Sequence, residues 1–129
     1  MTTPNSPQER RGHPRIEDNI PLKISSEEGD VVTETWNLSR SGVYCRVNKY
    51  IDPMTKLKIH LLLPLKQNKK TLTKKILCQG VVIRTEAVPG TKLYNTAIFF
   101  NELQHKDADY ISDFVNERME HKKDQNKTD

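Results

Sequence analysis

Apolar and polar residues alternate through most of the middle of this chain. In Asn19 to Ser25, "NIPLKIS", Ile20, Leu22 and Ile24 interleave with polar neighbours, the period-2 pattern of a strand with one buried face. "SEEGD" (26–30) follows as a turn, where Gly29 can take the positive φ of a tight reversal. The β-branched and aromatic "VVTETWN" (31–37) predicts the returning strand of a hairpin. "GVYCRV" (42–47) alternates again, with Val43, Cys45 and Val47 on one face. After a turn at Asp52-Pro53, "LKIHLLLP" sets Leu57, Ile59, Leu61 and Leu63 inward and Lys58 and His60 outward. "QNKKTLTK" (67–74) reads as a polar connection, and "KILCQGVVIRTE" (75–86) as a strand with a bulge or bend at Gly80. "AVPGTK" turns the chain, and "LYNTAIFF" (93–100) is the last strand. Six strands at short spacing with no helix between them predict a closed barrel or sandwich over residues 19–100.

The period changes after residue 104. Ala108, Ile111, Val115 and Met119 recur at helical spacing, with Tyr110 and Phe114 beside them. Acidic residues fill the early turns, and Arg118, Lys122 and Lys123 the end, which suits the helix dipole. One amphipathic helix over 104–120 is expected, its apolar stripe packed on the barrel. The polar ends, 1–9 and 121–129, read as solvated tails.

With 129 residues the chain suits a single domain. Its 21 basic and 17 acidic side chains leave a net charge of +4, and Lys66, Lys69, Lys70, Lys74 and Lys75 crowd one stretch. Such a field favours anionic partners such as nucleotides, nucleic acid or anionic lipid, although most of these lysines suit a solvated surface. No apolar segment opens the chain, and the run at 61–65 is far too short to cross a bilayer, so a cytoplasmic protein without a membrane span is expected. Cys45 and Cys78 lie in strand-like runs without metal spacing, which predicts buried, reduced thiols.

Catalytic patterns are missing. The four histidines stand apart from any acid or nucleophile at a familiar spacing, and "NLSRSG" fails GxSxG because Asn37 holds the first glycine's place. HExxH, P-loop and GxGxxG are absent as well. The chain reads as a binding module and not an enzyme, with no cofactor or metal.

Two motifs remain. Three of the seven arginines, Arg10, Arg11 and Arg15, fall within six residues, "RRGHPR", where Gly12 and Pro14 disfavour regular structure. A guanidinium is planar, permanently charged and forked, so it can hold a phosphate, stack on a purine or pair with the O6/N7 edge of guanine. Downstream, Asn37-Leu-Ser39-Arg-Ser-Gly42 is an NxSxxG between two predicted strands. Asn37 and Ser39, two apart on an extended chain, point to one side, and Gly42 allows a turn or a close approach of a ligand to the backbone.

Each motif alone is weak, but their order, with one strand pair between them, resembles the PilZ domain family over about residues 10–119. The resemblance implies a mainly β fold: a six-stranded antiparallel PilZ-type barrel with one C-terminal α-helix. It further implies binding of cyclic di-GMP, a bacterial second messenger, with Arg11 and Arg15 gripping phosphates and stacking on guanine. Asn37, Ser39 and Gly42 would receive a guanine on the barrel surface, while the leader, residues 10–18, is mobile when empty and wraps over the ligand. A basic residue ahead of RxxxR, here Arg10, goes in that family with a stacked pair of ligands instead of one. Arg40 and Ser41 stand as further ligand-binding candidates. Asn37 replaces a frequent Asp and Ser41 a frequent Gly, and neither change removes a named contact. The implied protein partner lies in motility, surface attachment or polysaccharide export.

Two other functions are weighed against this one. A small basic barrel could bind single-stranded nucleic acid, but aromatics are only 6% and Phe99, Phe100 and Phe114 fall at expected core positions, which makes nucleic acid the weaker choice. The other is an interaction module that keeps the barrel and binds no ligand.

Overall fold

The computed structural model describes residues 14–127 except 28 and 68, with side chains left out at 66, 67 and 121–127. Seven β segments precede one helix: β1 (Arg15–Ile16), β2 (Pro21–Ser26), β3 (Gly29–Ser39), β4 (Gly42–Val47), β5 (Lys56–Gln67), β6 (Lys70–Ala87), β7 (Tyr94–Glu102) and α1 (His105–Lys127). All pairings are antiparallel, in the order β1-β3-β2-β5-β6-β7-β4, and a further β3–β4 pairing closes the ring.

The strand count is therefore seven where six are expected, yet the ring has six positions. β2 covers β3 from Gly29 to Glu34, and β1 covers Leu38 and Ser39. Between them Ile20 stays bonded to β3: its amide donates to Thr35 Oγ1 (3.0 Å) while its carbonyl accepts from the Thr35 amide (2.8 Å). β1 and β2 thus act as one interrupted strand. Arg15 and Ile16, expected within the leader at 10–18, are paired into the sheet, and Ile16 is buried.

The alternation places the core as expected. Ile20, Leu22, Ile24, Val43, Cys45, Val47, Leu57, Ile59, Leu61 and Leu63 fill the barrel, and Ile111, Phe114 and Val115 of α1 join the same cluster. The helix lies against β1, β3 and β5. Gly29 has φ +123°, as its turn requires, and the register shifts at Gly80.

Further expectations change. Cys78, expected to be buried, is only partly so, because its strand is less covered there than at Cys45. The polar connection at 67–74 is instead the tip of a long β5–β6 hairpin, with pairing from Lys56↔Val81 out to Gln67↔Lys70. A two-stranded ribbon with both faces in water needs no apolar alternation, so the hydrophobic pattern does not mark it. Phe99 points outward and is 46% exposed, because Ile98 and Phe100 on either side take the inward places. The helix continues to Lys127, so most of the expected tail at 121–129 is helical; that extension has too few apolar residues to be legible from a buried stripe.

Candidate ligand groove on the barrel

The β3–β4 connection is built by its own side chains. Leu38, fully buried, anchors the end of β3 opposite Val43. Ser39 is also fully buried. Its hydroxyl accepts from the Ser41 amide (3.2 Å), lies 3.1 Å from Ser41 Oγ and reaches the Gly42 carbonyl at 3.5 Å, so one small hydroxyl closes the turn. The need for glycine at residue 42 comes from the neighbouring strand: a Cβ there would overlap the Ile98 carbonyl oxygen of β7. Only hydrogen lets β4 approach β7 at this point.

Asn37 faces the other way, outward, so the expectation that Asn37 and Ser39 point to one side does not hold: Ser39 turns inward at the end of β3 to close the turn. Asn37 Oδ1 accepts a hydrogen bond from Arg15 Nη1 at 3.2 Å, across 22 residues of sequence. These two side chains open onto a surface groove of about 410 Å³, bordered also by Val43, Tyr44, Ile83, Arg84, Ala97 and Ile98. Across this wall the pairing sets Tyr44 opposite both Asn37 and Ala97, and Ala97 opposite Arg84. Beside the groove runs a ladder of flat groups. The Arg46 guanidinium lies 4.1 Å from the Trp36 ring centre, and Trp36 stacks on Tyr44 at 5.8 Å and 11°. Arg84 stands 5.8 Å from the Tyr44 ring centre.

Sequence comparison decides the family: residues 9–117 match the PilZ domain. The chain belongs to the PilZ domain family. A solved structure with the same fold is the Bacillus subtilis inhibitor of motility (MotI/DgrA), with a TM-score of 0.77 and 20% identity. The alignment covers 88% of this chain and 53% of that one, so this chain spans about half the length of the other protein. No curated protein sequence matches it.

Of the two sequence motifs, the fold brings together Arg15 and Asn37. Arg10 and Arg11 lie outside the described residues. Ser39 and Gly42 shape the turn from within. Arg40 turns away from the groove toward α1, where Nη1 donates to Asp109 Oδ1 (2.9 Å) and Ser112 Oγ (3.0 Å), and Nη2 sits 3.5 Å from His105 Nδ1. Asp18, three residues after Arg15, meets the far part of the same helix through Arg118 at 3.6 Å. The helix of this PilZ domain is thus tied to the neighbourhood of both motifs.

Tyr44, Ile83, Arg84 and Ala97 border the groove without belonging to either motif. Tyr44 carried a signal in sequence, as an outward residue between the inward Val43 and Cys45. Arg84 carried none, since only strand pairing brings it to Ala97. Among the described residues no group of three His, Cys, Asp or Glu side chains is arranged to hold a metal, and no helix is long and apolar enough to cross a membrane. Burial pushes the Cys45 thiol up to about 12, and burial, with Asp107 adding to it, does the same to Cys78.

Proposed function

We propose that this PilZ domain is a cyclic di-GMP receptor that works as an adaptor and not as an enzyme. The observation that carries the reading is the Arg15–Asn37 hydrogen bond, which joins the arginine motif to the second motif at one groove. Arg15 offers a forked cation for a phosphate or for the O6/N7 edge of guanine, and Asn37 adds an amide that both donates and accepts. Arg10 and Arg11 bring two more guanidiniums to the same ligand, and Arg10 favours a stacked pair of ligand molecules over one. Ser39 and Gly42 contribute by holding the turn that presents Asn37, and Ser41 reinforces it. Ligand energy orders the arginine leader over the groove and offers a new face to a protein partner in motility, surface attachment or polysaccharide export.

Calorimetric titration with cyclic di-GMP, beside GMP and a short oligonucleotide, tests this reading. Saturable binding of the cyclic dinucleotide, lost in Arg11→Ala and Arg15→Ala, is expected, with a lower ligand count in Arg10→Ala. Absence of any heat at high micromolar ligand would overturn it.

A second reading, binding of single-stranded nucleic acid, gains from the exposed Trp36, 40% accessible, stacked on Tyr44 between two arginines. Oligonucleotide binding with a steep salt dependence, and none of the cyclic dinucleotide, is its signature.

A further inference from the structure

The far wall of the groove is set by the row that crosses β4, β7 and β6. Tyr44 pairs with Ala97, and Ala97 with Arg84. Because the Ala97 side chain is a single methyl, the Tyr44 ring and the Arg84 guanidinium approach each other above it. A register shift between Val82 and Arg84 inserts Ile83 as an extra residue, 57% exposed, and re-aims the strand beside the groove.

The ring order β3-β4-β7-β6 sets Arg15, carried on β1 beside β3, and Arg84, on β6, at opposite sides of one groove. A ligand with two phosphates and two bases carries negative charge on both of its flanks, so a cation on each wall matches it better than one wall alone. Arg84 is engaged by Glu86 at 3.6 Å, with the two side chains 61% and 56% exposed. Solvent-exposed pairs of this kind contribute little, so a phosphate can replace the carboxylate at small cost. The Tyr44 ring is held in place by Trp36 stacked on it, and its hydroxyl lies 3.5 Å from Glu86 Oε1. A side chain already fixed in this way loses little freedom on binding.

We propose that Arg84 and Tyr44 form a third ligand-binding element of this site, with Arg84 exchanging Glu86 for a phosphate of the cyclic dinucleotide and Tyr44 bordering a base. This inference rests on the cyclic di-GMP reading above and adds to it residues that neither motif contains.

The test is calorimetric titration of the full chain with cyclic di-GMP, with the emission of Trp36, the single tryptophan, followed in parallel. Arg84→Ala is expected to raise Kd about tenfold, and Arg84→Lys to recover part of the loss, because an ammonium keeps the charge without the fork. Tyr44→Ala is expected to raise Kd severalfold. Arg46→Ala, at the other end of the same ladder and away from the groove, leaves Kd unchanged. Arg84 is at the surface, so an unchanged thermal melt shows that the variant is folded. If the wild type binds and Arg84→Ala or Tyr44→Ala stays within twofold of it, this inference is overturned and the cyclic di-GMP reading stands. If the wild type does not bind, both fall.

Discussion

Arg15 Nη1 donates to Asn37 Oδ1 at 3.2 Å, and this contact brings two motifs 22 residues apart to one groove. Its existence depends on β1, which pairs Arg15 with Ser39 and so fixes where the guanidinium starts. The two side chains should therefore behave as a coupled pair toward ligand. In a double-mutant cycle of Arg15→Ala and Asn37→Ala, the binding losses are expected to be non-additive by about 0.5–2 kcal/mol. Strict additivity in calorimetry would show that the contact has no part in binding.

Gly42→Ala separates the shape of the turn from recognition. The added methyl meets the Ile98 carbonyl, and strands β4 and β7 must part to relieve it. A loss of about 1–3 kcal/mol is expected, the usual range for overpacking, read as a fall in Tm or in urea midpoint. A melt equal to the wild type would mean that the backbone yields freely there and that glycine answers some other need.

Arg40→Ala tests the link between the second motif and α1. The guanidinium holds Asp109 and Ser112 together, and the Arg40 and Asp109 side chains are 28% and 56% exposed. Partial exposure limits the contribution to about 0.5–1 kcal/mol. Faster amide exchange in the first turns of α1 is expected, with the barrel amides unchanged. Uniform exchange across the helix in wild type and variant would show that Arg40 does not hold it.

The two thiols should be slow toward an aromatic disulfide reagent at mildly alkaline pH, since both are pushed up to about 12. Cys78 is partly exposed and Cys45 buried, so Cys78 should react first and Cys45 only on unfolding. Rapid modification of Cys45 in the native protein would contradict the barrel packing.

His60 is expected to give stability a pH dependence. Burial lowers its affinity for a proton, and Lys23 and Lys75 add to that effect. The folded state then binds fewer protons than the unfolded chain, so this contribution is complete above the ordinary imidazole value of 6.5 and is lost as pH falls below it. His60→Gln should flatten the fall in Tm over that window. A variant that follows the wild-type curve would assign the dependence to other groups.

Much of the barrel was legible because its strands are half-buried. Ile20, Leu22, Ile24 and the series Leu57 to Leu63 alternate so regularly that inward and outward faces follow from period alone. The β5–β6 tip escaped because a ribbon wetted on both faces has no such alternation, and Phe99 escaped because its apolar neighbours Ile98 and Phe100 had already taken the inward places.

The site divides along the same line. Local chemistry determined the two motifs: where arginines cluster and where Asn37 to Gly42 reverse the chain. Only tertiary structure decided which of those residues meet. Ser39 and Gly42 look inward because β4 must close on β7, and Arg40 is held by a helix 69 residues further along. Arg84 reaches the groove through two successive strand pairings that no nearby residue announces. A strand's own pattern specifies which face is buried, whereas the partner across each ladder is chosen by closure of the whole ring.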